Sequence, residues 1–82
     1  MNLKDILKQQ AEYTRNSDVT VEIVRNMACV TIHADEESEL FLEGEQADKF
    51  IDQCDAYALE CPDMEGHDIE LAVAYGYLDI LL

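Results

Sequence analysis

Two histidines, three cysteines and nineteen carboxylates stand out among the residues of this chain able to bind a metal, attack a carbonyl or move a proton. His33 and His67 each lie among acids in sequence, His67 close to Asp63, Glu65 and Asp68. Together with Cys29 they supply ligand types, but not the Cys-x-x-Cys or His-x-x-x-His spacing that a structural zinc site uses. The run Asp63-Met64-Glu65-Gly66-His67-Asp68 has the composition of a calcium loop. It lacks the ligand spacing and closing acid of such a loop, and reads instead as the entry to a helix. Cys54 falls on an apolar helix face, where a thiol acts as a small hydrophobe. Ser17 and Ser38 sit in turns without a Gly-x-Ser-x-Gly context. Gly44, Gly66 and Gly76 are too far apart to form a phosphate-binding loop. A catalytic carboxylate pair needs burial and unequal surroundings, and nothing marks out any two of these acids. The expectation is a protein that is not an enzyme and holds neither metal nor cofactor.

What the acids do have is an uneven distribution. Residues 1–34 balance Lys4, Lys8, Arg15 and Arg25 against Asp5, Glu12, Asp18 and Glu22. Residues 35–82 set Lys49 alone against fifteen acids, so the whole net charge of −14 resides there. Such a balance excludes direct binding to DNA or RNA, whose phosphates it repels. It equally excludes an anionic membrane surface. Crowding carboxylates in a folded body lowers stability, so their retention invites either a solubility role or recognition of cations. A line of carboxylates can imitate the phosphates of duplex DNA, which carries a charge every ~1.7 Å of its axis.

A chain of 82 residues makes one domain, spanning residues 1–82, and 49% hydrophobic residues suffice for a small core. The three cysteines, Cys29, Cys54 and Cys61, are odd in number and follow no disulfide framework, which fits reduced thiols in a cytoplasm. The polar opening Met1-Asn2-Leu3-Lys4-Asp5 is not followed by a secretory h-region. The longest apolar stretch is interrupted by Glu70 and Asp79, so no membrane span is expected.

The elements that position these residues follow from periodicity. Asn2 is a suitable N-cap, with Asp5 in the first turn, and Leu3, Ile6, Leu7, Gln10, Ala11 and Thr14 keep helical spacing. Val19, Val21 and Ile23 then alternate with polar residues as a half-buried strand. Arg25-Asn26-Met27 reads as a turn, with Asn26 suited to a positive φ. Ala28, Val30, Ile32 and Ala34 alternate with Cys29, Thr31 and His33 to complete a hairpin. Asp35-Glu36-Glu37-Ser38 is a charged turn, and Glu39 to Glu43 forms a third, edge strand whose acids discourage unwanted pairing. Gly44 ends it. From about Glu45 a helix presents Ala47, Phe50, Ile51, Cys54, Tyr57 and Ala58 on one face, with Glu45, Asp48, Asp52, Asp55 and Glu60 on or beside the other. Pro62 and Gly66 break that helix. The fold class is therefore α+β: an N-terminal helix, a three-stranded antiparallel sheet and two C-terminal helices.

The last element, from about His67 to the end, reads as one helix with two apolar stripes. Ile69, Val73, Gly76 and Ile80 form the first; Leu71, Tyr75, Leu78 and Leu82 form the second, on the opposite side. A helix apolar on two sides is either fully buried or touches two things. One stripe is expected on the sheet. The second either packs on the first helix or forms an interface with a second copy or a partner, with Tyr75 its aromatic anchor.

This order of elements, in about 80 acidic residues without disulfides, resembles the small anti-CRISPR inhibitors made by phages and other mobile elements. The opening Met1-Asn2-Leu3-Lys4-Asp5-Ile6-Leu7 is similar to the first helix of a Cas9 inhibitor with this layout. The resemblance implies a protein that imitates DNA and occupies the DNA-binding surface of a Cas effector. Asp35, Glu36, Glu37 and Glu39 of the charged turn, with Asp63, Glu65 and Asp68 of the loop between the last helices, would then face the partner's Arg and Lys side chains. The Leu71, Tyr75, Leu78 and Leu82 stripe departs from pure mimicry. It keeps open an alternative: a small acidic interaction module or regulator, homodimeric through its C-terminal helix.

Overall fold

The computed structural model describes residues 2–35 and 37–81. The expected helix, sheet and C-terminal helices are present in the expected order. Helix α1 spans Leu3–Asn16, and the Asn2 side chain accepts the Asp5 backbone N–H at 2.9 Å. That bond satisfies one of the donors a helix start leaves unpaired. Replacing Asn2 with Ala should therefore lower stability by about 1 kcal/mol, read from a urea titration. Asp18 takes a left-handed φ of 60° as the chain leaves the helix, and Val19 beyond it is buried.

Strands β1 (Thr20–Val24), β2 (Cys29–His33) and β3 (Glu39–Glu43) form an antiparallel sheet in the order β1-β2-β3. In-register pairs Ile23↔Val30 and Val30↔Leu42 place aliphatic side chains on one face; Glu22↔Thr31 and Thr31↔Phe41 define the other. Because side chains alternate with period two, this register commits Val30 and Ile32 to the core. Both are 0% exposed. The β1–β2 connection is a 3₁₀ turn over Arg25–Met27. Its left-handed residue is Ala28, at φ 49°, rather than Asn26. The turn consumes three residues before the chain reverses, so the positive φ falls one step past them.

Gly44, at φ 61° and ψ −129°, connects β3 directly to helix α2 (Glu45–Glu60), in a conformation only glycine adopts readily. Ala47, Phe50, Ile51 and Cys54 are its buried face. Cys61 and Met64 of the following loop also join the core.

The C-terminal region differs from the expected single helix. Helix α3 (Gly66–Ala74) gives way to a 3₁₀ turn over Tyr75–Tyr77, and a short helix α4 (Leu78–Leu81) follows. The tighter 3₁₀ winding changes the angular phase of everything after Ala74. Ile69, Leu71, Ala72, Val73 and Ala74 are all buried. The helix packs chiefly on α1 and also touches α2 and β1. Thus α3 is enclosed, with α1 covering it, the first of the two alternatives the sequence left open.

Two corrections to the expected interface stripe follow. Leu71 and Leu78 are core residues, 1% and 6% exposed, because α1 covers one side of α3 and the phase change turns Leu78 inward. Of the four stripe positions, Tyr75 is exposed, and Leu82 lies outside the described residues. Ile80, expected on the sheet-facing stripe, is 70% exposed for the same reason. A Leu78→Asp substitution would therefore be a lesion of the fold.

Candidate partner-binding surfaces

The carboxylates expected to meet a partner fall into two groups with different surroundings. In the β2–β3 turn, Asp35, Glu37 and Glu39 are exposed. Glu36 lies outside the described residues. The Asp35 Oδ1 accepts the backbone N–H groups of Glu37 (2.8 Å) and Ser38 (2.7 Å). Those bonds hold its carboxyl below the usual range, the Glu37 amide contributing most. Asp35 therefore shapes the turn as well as charging it. Glu39 approaches its cross-strand neighbour His33, with Oε2 at 3.3 Å from Nδ1.

The loop group is partly neutralised from within. Asp63 meets the Lys4 ammonium at 3.3 Å, and Asp68 is paired with the Arg15 guanidinium. Two of the four cations that balance the first part of the sequence, Lys4 and Arg15, thus pair with acids of the second part. Of the residues expected to contact a partner in this loop, Glu65 is the one without an ion pair among the described residues.

Helix α2 supplies a third group. Glu45, Asp48, Asp52 and Asp55 recur every three or four residues and are all exposed. At 3.6 residues per turn they fall within an arc of about 80°, over about 15 Å of helix axis. Arg25 answers Asp55 through two bonds of 3.0 and 3.3 Å. Glu45, Asp48 and Asp52 have no ion-pair partner among the described residues. The helix ends on Glu60 and has no base in its last turn, where the helix dipole favours cations. Like charges at i,i+3 and i,i+4 also oppose helix formation. The sequence placed these residues on the outer face; what it did not reveal is that Lys4 and Arg15 pair with the loop acids and Arg25 with Asp55, which leaves Glu45, Asp48 and Asp52 without an ion pair among the described residues, although Lys49 lies on the same helix.

Behind α2 lies one half-buried acid. Glu70, on α3, has its carboxyl pushed above the ordinary range, first by desolvation; nearby His67 and Arg25 pull it back. Cys54, beside it, has its thiol pushed up to about 12, chiefly by burial and next by the charge of Glu70. Such a thiol is inert. An acid whose folded-state pKa is raised favours the native state below its unfolded value of 4.5 and loses that advantage as pH rises through the folded value. Glu70→Gln should therefore raise the urea midpoint at pH 7, and the difference should close on acidification below pH 4.5.

A separate surface is almost free of charge. Tyr13 and Tyr75 stack edge to face, with ring centroids 5.5 Å apart and planes at 84°. Around Tyr75, adjoining concavities are lined by Ile6, Gln9, Gln10 and Tyr13, and by Gln53, Tyr57, Gly76 and Tyr77. All four tyrosines of the chain line these hollows. The sequence singled out Tyr75 as an aromatic anchor, and the side chain is exposed; that Tyr13 and Tyr57 gather beside it was not legible, because α1 and α2 are distant from it in sequence.

Neither the family models, the curated proteins nor the solved structures contain a match to this chain. Among the described residues no helix is long and apolar enough to cross a membrane.

Proposed function

We propose that this protein is an anti-CRISPR-like inhibitor: an anionic decoy that occupies the cationic, DNA-gripping groove of a Cas effector or another nucleic-acid-binding protein. The carrying observation is the arc of Glu45, Asp48 and Asp52 on α2, exposed and without internal counter-ions among the described residues. With Asp55 and Glu60, α2 bears an acid roughly every 5 Å of axis, against one phosphate per ~3.4 Å along each DNA strand. The exposed Glu37 and Glu39 of the β2–β3 turn add to the same field. A basic groove gains charge-assisted bonds to carboxylates as it does to phosphates, and the opposed fields steer the encounter. The reading places the protein in the cytoplasm of the cell whose nucleic-acid machinery it blocks.

The test is retention of proteins from a bacterial lysate at low and high salt, then competition by duplex DNA for each retained protein. A decoy loses its partner to both salt and duplex. Retention that duplex DNA leaves unchanged rules it out.

The tyrosine surface favours a second reading, a protein-interaction module. Tyrosine is enriched at binding hot spots because it combines contact area with a polar tip and few torsions. On this reading the contact runs through Tyr13 and Tyr75, not through Leu71 and Leu78. Tyr13→Ala with Tyr75→Ala then abolishes association while acid reversals leave it intact, and sedimentation at several concentrations shows whether the mate is a second copy.

A further inference from the structure

Strand β3 is an outer strand of the sheet. Its inner edge is laddered to β2, and among the described residues no backbone group from another element bonds to its outer edge. The two sides of that edge differ. Toward the helices lies an apolar hollow lined by Leu40, Leu42, Gln46, Lys49, Tyr77 and Ile80. On the opposite face Glu39, Phe41 and Glu43 are all exposed, Phe41 at 51%. A strand added to this edge lays alternate side chains over Glu39, Phe41 and Glu43 and the intervening ones along the hollow.

We propose that the β3 edge receives an extended segment of the basic partner, with Lys or Arg alternating with apolar residues, as a fourth strand of the sheet. The inference rests on the anionic reading above and names how the partner is held. Charge selects the occupant. A second copy pairing antiparallel about Phe41 would set Glu39 against its mate's Glu43, with like charges directly opposed. A basic strand reverses that sign, and the exposed Phe41 ring adds an aromatic surface on which a cation can rest. Lys49, in the hollow, repels a base from that side, so bases take the outer face and apolar residues the inner one. A slip of one residue would exchange the faces, which pins the register.

The full-length chain is titrated with an end-capped nine-residue peptide alternating Lys and Val, followed by fluorescence anisotropy and amide hydrogen exchange. The expected result is slowed exchange at alternate amides of Glu39–Glu43, with Thr20–Val24 unchanged. Glu39→Lys with Glu43→Lys should weaken binding at least tenfold, circular dichroism confirming the fold. The same peptide N-methylated at every residue keeps its charge but cannot donate to a ladder, and should also bind at least tenfold more weakly. So should an isomer with all its lysines contiguous. Equal affinity for the N-methylated or contiguous peptide, or protection at β1 instead, overturns edge pairing and leaves the anionic reading standing. That reading is decided separately by competition with duplex DNA.

Discussion

Reversal of Glu45, Asp48 and Asp52 to lysine is expected to weaken binding to a basic partner by a factor of ~10²–10⁴. Each position exchanges an attraction for a repulsion, at about 1–2 kcal/mol apiece, and every 1.4 kcal/mol is tenfold. The matched control reverses Glu12, Asp18 and Glu22, which are exposed in the part of the chain where charges balance. Both triple variants move the net charge by six units, from −14 to −8, so long-range steering changes alike. The control should lose no more than about threefold, mostly in association rate, because it removes only the diffuse field. Calorimetry at two salt concentrations checks both variants. Equal losses would reduce the interaction to non-specific charge attraction.

Phe50→Ala is expected to lower stability by about 3–5 kcal/mol, the range for deleting an aromatic ring from a packed core. Phe50 is 0% exposed, at the centre of the buried face of α2, and its ring lies 5.6 Å from that of Tyr77. Removal opens a cavity where α2 meets the C-terminal 3₁₀ turn, with Ile51 and Cys54 left to hold the helix. A domain of this size has a total stability of roughly 4–12 kcal/mol, so the variant loses about a quarter of it at the upper end and is unfolded at the lower end. Self-repulsion from the net charge lowers the starting point further, and added salt should recover part of the loss. Urea titration of parent and variant at low and high salt measures both effects. A loss below about 1 kcal/mol would mean that α2 is not anchored by this ring.

Local elements were legible because their signals are local. The Asn2 cap, the alternation through β1 and β2, the bounds of β3 and the start of α2 at Glu45 each depend on neighbours within a few residues. Where the expectation failed, the deciding partner was distant or the winding changed. Periodicity at 100° per residue assumes uniform α-helix, and the 3₁₀ turn at Tyr75–Tyr77 breaks that assumption. The stripe expected to run from Leu71 through Tyr75 and Leu78 therefore did not survive past Ala74, and Leu82 lies outside the described residues.

By itself the sequence determined the α+β order of elements, the size of the core and the segregation of negative charge into its second part. Only the tertiary structure decided which acids remain unanswered. Lys4, Arg15 and Arg25 reach across the fold to Asp63, Asp68 and Asp55, pairings that span 30 or more residues of chain. The tertiary structure likewise enclosed α3, gathered the four tyrosines and, among the described residues, left the outer edge of β3 without a backbone partner beside its hollow. Each of these is set by which surfaces meet when the helices cover one face of the sheet, and no local pattern of residues encodes that meeting.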